Sequence, residues 1–174
     1  MNSEARSSGG LRKANFPPVV DGRTRLLILG SLPGDASLKA GQYYGHPRNA
    51  FWRRIGGVIG RDLAALSYDG RLEASKAAGV GLWDVIARAE RPGSLDAAIR
   101  NAEAADLRRL VSSLPDLRAV AFNGATAARI GRRSLAGVEG LDLFDLPSSS
   151  PAHAARSFEQ KAAAWAVLAR PLLD

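Results

Sequence analysis

Leu26-Leu27-Ile28-Leu29-Gly30-Ser31-Leu32-Pro33-Gly34 is a short apolar run that breaks into a loop dense in glycine and proline. An apolar run of this length with no polar interruption fits a strand buried on both faces, and the loop fits its carboxyl end. The same alternation continues downstream. After Pro47, the residues Phe51, Trp52, Ile55, Val58 and Ile59 recur at helical spacing, with Arg53 and Arg54 expected on the solvent side and Gly60 as the stop. Short helical regions at 62–66 and 70–78 lead to a second strand, Gly79 to Trp83, and then to a long loop through Arg91-Pro92-Gly93-Ser94. Leu107, Leu110, Val111 and Leu114 line a helix that Pro115 ends. Leu117 to Phe122 is a third strand, turned by Asn123-Gly124 into an alanine-rich helix through Ile130. Leu141 to Leu146 is the fourth, and a last helix carries Phe158, Ala162, Trp165 and Leu168. Strands alternating with helices predict an α/β fold, its parallel sheet covered on both faces and its site at the carboxyl ends of the strands.

The whole chain has 174 residues, about one domain. Met1 to about Ala14 is polar, contains Ser7-Ser8-Gly9-Gly10 and lacks the apolar core of a secretory signal, so it is read as a disordered arm before one domain over 15–174. No apolar run approaches the roughly 18 residues needed to cross a bilayer. With no cysteine and two histidines, thiolate metal sites, disulfides and cysteine nucleophiles are excluded, a histidine metal cluster has little to draw on, and a reducing cytoplasm fits. The net charge is +7, with arginine supplying 20 of the 24 basic residues. That balance suits a polyanion, and it equally suits a soluble protein from an arginine-biased genome.

Three loops gather special residues: Gly30 to Gly34, the Trp83-Asp84 region, and Leu146-Pro147-Ser148-Ser149-Ser150-Pro151-Ala152-His153. Parallel strands deliver all three to one edge of the sheet. The first allows backbone amides to approach a ligand closely, although it lacks the lysine and spacing of a Walker loop. Gly41-Gln42-Tyr43-Tyr44-Gly45-His46-Pro47-Arg48-Asn49-Ala50-Phe51-Trp52 then places aromatic, amide and basic groups just before a helix.

Gly30-Ser31-Leu32-Pro33-Gly34 followed by Tyr44 to Trp52 resembles the first motif and aromatic segment of the uracil-DNA glycosylase superfamily, mismatch-specific branch. With Gly81-Leu82-Trp83-Asp84-Val85, Gly93-Ser94-Leu95-Asp96 and Leu146 to Ala152 added, the pattern is most similar to the hypoxanthine-DNA glycosylases. The resemblance implies a three-layer α/β/α sandwich on a four-stranded parallel sheet, in agreement with the strand count. It also implies an enzyme that extrudes a damaged base and hydrolyses its bond to deoxyribose. Gly30, Ser31, Leu32 and Pro33, with Tyr44 as stacking platform and Trp83 beside it, would then meet the base. Arg48, Ser148, Ser149, Ser150, Pro151 and His153 would meet the DNA backbone.

Two positions depart from the pattern. Leu32 stands where the mismatch-specific branch has a water-holding asparagine and the uracil-specific branch an aspartate, and Leu146 stands where the latter has a histidine. The attacking water therefore needs another holder. The transition state is oxocarbenium-like, so a positioned neutral amide can serve. Asn49 is the candidate, with helix capping as its alternative role; Asp84, Asp35 and Asn123 are the others. Asp84 could read a ring N–H or help activate water. The expected activity is removal of hypoxanthine, with uracil a second candidate base, from DNA by a monomer that needs no cofactor or metal. A non-catalytic nucleic-acid or nucleotide-binding module on the same fold is the competing expectation.

Overall fold

The computed structural model describes residues 12–151 and 157–173, apart from the side chain of Phe158. In chain order the elements are β1 (Arg12–Ala14), β2 (Leu26–Gly30), α1 (Asp35–Ala40), α2 (Phe51–Ile59), α3 (Tyr68–Ala77), β3 (Val80–Asp84), β4 (Ile86–Glu90), β5 (Arg100–Ala104), α4 (Leu107–Ser112), β6 (Ala119–Asn123), α5 (Ala125–Ser134), β7 (Asp142–Leu146) and α6 (Phe158–Ala166). Short 3-10 turns fill several of the connections.

The main sheet has the order β3-β2-β6-β7, and every pairing in it is parallel. The apolar runs occupy it as expected. Leu26 to Leu29 are fully buried because β2 has a strand on each side and helices on both faces. Alternation divides the run: Leu26 and Ile28 pack with Phe51, Trp52 and Ile55 of α2 and Trp165 of α6, whereas Leu27 and Leu29 pack with Leu107 of α4 and Ala127 and Ala128 of α5. The α/β/α sandwich is thus present. Each fully buried leucine adds about 1.5–3 kcal/mol, so the run is a large part of what fixes this register. Gly60, in the left-handed conformation at φ 71°, ends α2 where the sequence places the stop.

Three features differ from the sequence-based expectation. The stretch after Asp84 is not one long loop: β1, β4 and β5 form a second, antiparallel sheet in the order β1-β4-β5. Its strands are short and carry charged residues, and all five residues of β5 are exposed, so no apolar run marks it. Arg12–Ala14, assigned to the arm, form β1, because their backbone pairs with Arg88 to Glu90. Residues 1–11 lie outside the described residues. Arg54, expected on the solvent face of α2, is buried.

Candidate active site

Parallel register sets Asp84 beside Gly30 and Asn123 beside Leu146, while Leu29 pairs with Phe122 one residue earlier. Asp84, Gly30, Asn123 and Leu146 therefore form one row across the carboxyl edge of the sheet, on the face that Ile28 and Leu82 share. Gly30 leaves a gap in that row. A Cβ there would lie 2.7 Å from Asp84 Oδ1 and 3.1 Å from Tyr44 Oη, so only glycine allows the two side chains to converge.

Tyr44 reaches this place from the segment between α1 and α2. It has a left-handed backbone (φ 53°), uncommon for a bulky residue, and the conformation is stabilised by its surroundings. Its ring stacks on Phe51 with centroids 3.7 Å apart and planes 13° from parallel. Tyr43 beside it is core: its hydroxyl donates to Pro17 O at 2.7 Å, and its carbonyl accepts from Trp52 Nε1. The Tyr44 hydroxyl and Asp84 Oδ2 are both buried and make no standard hydrogen bond among the described residues. Burial pushes the Asp84 carboxyl up to about 7; the Asp96 charge reinforces the shift and Arg91 opposes it. Burial likewise raises the Tyr44 phenol well above its ordinary value, helped by the Asp84 charge, while the Asn123 side chain acts in the opposite sense. An acid with a proton affinity near neutrality sits here beside an orphaned phenol.

Asn49 lies at the entry to α2. Its Oδ1 accepts from Phe51 N at 3.0 Å, which satisfies a first-turn amide, while Asn49 N donates to His46 O. The next amide, Ala50 N, donates to Ser149 O at 3.1 Å and ties this segment to the serine loop. Ser149 in turn is joined to Asn123 by both its amide and its hydroxyl.

The first-motif loop is clamped from beneath. Buried Arg91 donates to Leu32 O, Pro33 O and Gly93 O, and Ser31 Oγ donates to Asp96 Oδ1 at 2.7 Å. Burial weakens the charged form of Arg91, and Asp35, Asp96 and Asp84 counter it. Among the described residues no group of three or more histidine, cysteine or acidic side chains could hold a metal ion.

The model of the uracil DNA glycosylase superfamily matches residues 17–169. The chain belongs to that superfamily. A Hypoxanthine DNA glycosylase of Methanosarcina barkeri is 42% identical over 156 residues, 90% of this chain and 97% of that protein. Another protein of the same name from Methanosarcina acetivorans is 43% identical over 141 residues, 81% and 88% of the two chains. The solution NMR structure of a Methanosarcina acetivorans protein, proposed to be a uracil DNA glycosylase, superposes with a TM-score of 0.82 at 39% identity, covering 93% of this chain and 99% of that one.

Within this superfamily member, the site residues expected from sequence fall into two groups. Gly30, Tyr44, Asp84 and Asn123 converge, and Asn49 is linked to them through Ala50, Ser149 and Asn123. Several other expectations need correction. The Leu32 side chain packs in the core on the opposite sheet face, so only its backbone belongs to the loop. Trp83 alternates away from Asp84, and its indole N–H donates to Phe16 O at 2.9 Å instead of facing the base. Ser31 spends its hydroxyl on Asp96. Ser149 is buried against Asn123 and is internal scaffolding, not a phosphate contact. Ser148 Oγ accepts from Ser150 N, which shapes the turn. Arg48 and Pro151 are exposed, and Pro33 is buried within the clamped loop. His153 lies outside the described residues. The Arg91 clamp was missed as such, because sequence marks an arginine near the loop but not that it points inward.

Proposed function

We propose that this chain is a monofunctional DNA glycosylase that hydrolyses the N-glycosidic bond of deoxyinosine and releases hypoxanthine. The two relatives bearing that name, which align along most of both chains, support the substrate. The observation that carries the chemistry is the converging row at the sheet edge: buried Asp84 and Tyr44 with unspent polar atoms, meeting across a glycine that has no side chain to separate them.

In this reading the extruded base lies against the Tyr44 ring, on the side opposite Phe51, and is held by stacking that any base can use. As the bond from C1′ to the base nitrogen breaks, its electron pair leaves with the base and C1′ becomes electron-poor. A water then forms the new C1′–O bond, and the proton it gives up ends on the departing base, so that neutral hypoxanthine is released. Asn49 holds this water: its Oδ1 keeps a second lone pair beyond the bond to Phe51, and its Nδ2 has two donors. Ionised Asp84 accepts at Oδ2, from the ring N–H of hypoxanthine or from the water. The recognised motifs contain no lysine, so no Schiff-base step follows. Exposed Arg48, with Ser148 and Ser150 of the serine turn, lies toward the phosphates, and one chain supplies every group the reaction needs.

A cleavage panel tests this reading. Oligonucleotides containing hypoxanthine, uracil, xanthine or thymine are incubated with the protein and scored by alkaline strand scission. Scission at hypoxanthine above all others is the expected result. Binding without scission on every member would select the non-catalytic module instead.

A further inference from the structure

Gly93-Ser94-Leu95-Asp96 takes no part in the chemistry described so far, yet two of its side chains are spent on the first-motif loop. Ser94 Oγ accepts from Asp35 N at 2.9 Å, and Asp96 Oδ1 accepts from Ser31 Oγ at 2.7 Å. Ser31 is buried and directly follows Gly30, the residue that stands beside Asp84 in the sheet. Val85 N donates to Gly30 O and Ile86 N to Ser31 O, so the backbone after Asp84 is tied to the same two residues. One short hydroxyl bond thus fixes an acidic side chain near the strand end that carries the buried carboxyl.

The charges in this region do not balance. Asp84, Asp96 and Asp35 supply three carboxylates, whereas Arg91 and Lys13 supply two cations. Asp35 Oδ1 is 2.5 Å from Lys13 Nζ and 4.0 Å from a terminal nitrogen of Arg91, so it draws on both. Less than one full positive charge is left for Asp84 and Asp96 together. Arg91 hydrogen-bonds neither of them: its three guanidinium nitrogens donate to the carbonyls of Gly93, Leu32 and Pro33. Among the described residues neither Asp84 nor Asp96 forms an ion pair. The other titratable neighbours of Asp84 are the phenols of Tyr43 and Tyr44, whose raised proton affinities keep them neutral.

Two carboxylates that share too little positive charge cannot both ionise freely, and the buried one takes the proton because water does not reach it. Burial is the larger reason that Asp84 holds its proton toward neutrality, and the Asp96 charge is the next. We propose that Asp96, pinned by Ser31, governs the charge state of Asp84 and is thereby a positioning residue for excision. Burial is set by the whole fold, whereas Asp96 is one exposed side chain on a loop, so a single substitution can change its part alone. A proton acceptor works best when its proton affinity lies near the working pH, which is the condition Asp96 helps to create at Asp84. Water screens an exposed charge, so the effect is severalfold and not orders of magnitude. The consequence for rate rests on the glycosylase reading above; the consequence for the charge of Asp84 does not.

The test uses Asp96→Asn, which keeps an oxygen to accept from Ser31 and removes the charge, with circular dichroism to check the fold. Two pH profiles are recorded for the wild type, Asp96→Asn and Asp84→Asn: urea unfolding, and single-turnover excision from a deoxyinosine duplex at saturating protein. In the wild type, stability falls as pH rises toward about 7, because there only the folded chain holds the Asp84 proton. In Asp96→Asn that fall should be smaller and end at a lower pH. Its excision should be faster by about threefold or more at about pH 6 and within about twofold of wild type at about pH 8. Unfolding profiles that superpose on wild type, a wild-type stability that is flat across this range, or excision slowed by one factor at every pH would overturn the proposal. If the wild type excises nothing, or Asp84→Asn excises with the wild-type profile, the part given to Asp84 in the reaction fails, and the unfolding profiles still decide whether Asp96 governs its charge.

Discussion

Asn123 and Ser149 hold each other by two reciprocal hydrogen bonds of 2.9 Å, Asn123 Nδ2 donating to Ser149 Oγ and Ser149 N to Asn123 Oδ1. The pair joins the end of β6 to the serine loop, and Ser149 O extends the link to Ala50, one residue from Asn49. With both amide ends committed, Asn123 serves as scaffolding in the proposed reading, which gives the chemistry to its neighbours. Asn123→Ala would leave a buried amide and hydroxyl without partners. A loss of about 1–3 kcal/mol is expected in urea unfolding, with slower excision because the Asn49 segment loses its support.

Asn49 has two roles that substitutions can separate. Asn49→Ala removes both the amide proposed to hold water and the acceptor for Phe51 N. Asn49→Asp keeps that acceptor. Both should reduce single-turnover excision by about a hundredfold or more with lesion-DNA affinity little changed. Only the alanine variant should also lose stability, by about 1 kcal/mol. Excision that tracks stability across the two variants would assign Asn49 to capping alone.

Asp84 makes stability and rate depend on pH in opposite senses. Its carboxyl is pushed up from 3.8 to about 7 by burial, so between those values the folded protein holds a proton that the unfolded chain releases. Stability then falls as pH rises through that window and levels off above it. Asp84→Asn should flatten the slope, stabilising the protein by an amount on the order of a few kcal/mol at about pH 8 and by little at about pH 4. In the proposed mechanism excision uses the ionised form, so the rate should rise with pH through about 7 in the wild type, a limb that Asp84→Asn should lack. Chemical denaturation and single-turnover rates across pH check both.

Tyr44 can be divided in the same way. Tyr44→Phe retains the ring against Phe51 and removes a buried hydroxyl that has no standard hydrogen bond. Stability equal to or above wild type is expected, with lesion binding retained. Tyr44→Ala should weaken lesion binding by about 1–3 kcal/mol and slow excision as well. Equilibrium titration of deoxyinosine DNA with each substitution placed in the Asn49→Ala background separates binding from turnover.

The sheet was legible because its two central strands, β2 and β6, are buried on both faces. Leu26 to Leu29 and Ala119 to Phe122 have no exposed side to interrupt the run. The second sheet was hidden for the opposite reason, since β5 buries none of its residues and Arg88, Arg100 and Glu103 read as loop composition. In the site, spacing was enough to bring Gly30, Tyr44 and Asp84 together, whereas side-chain direction was not. Strand alternation sends Trp83 away while keeping Asp84, and the carbonyls of Leu32, Pro33 and Gly93 hold Arg91 inward, where net charge alone suggested DNA. Ser148, Ser149 and Ser150 are chemically alike in sequence, and only the partner Asn123 sets Ser149 apart.

The most direct measurement is the release of free base from a duplex carrying one deoxyinosine, followed by mass spectrometry under single-turnover conditions. The expected products are free hypoxanthine and an intact strand with one abasic site, in equal amounts. DNA bound but returned unchanged, or hypoxanthine released from free inosine and not from the duplex, would contradict the account.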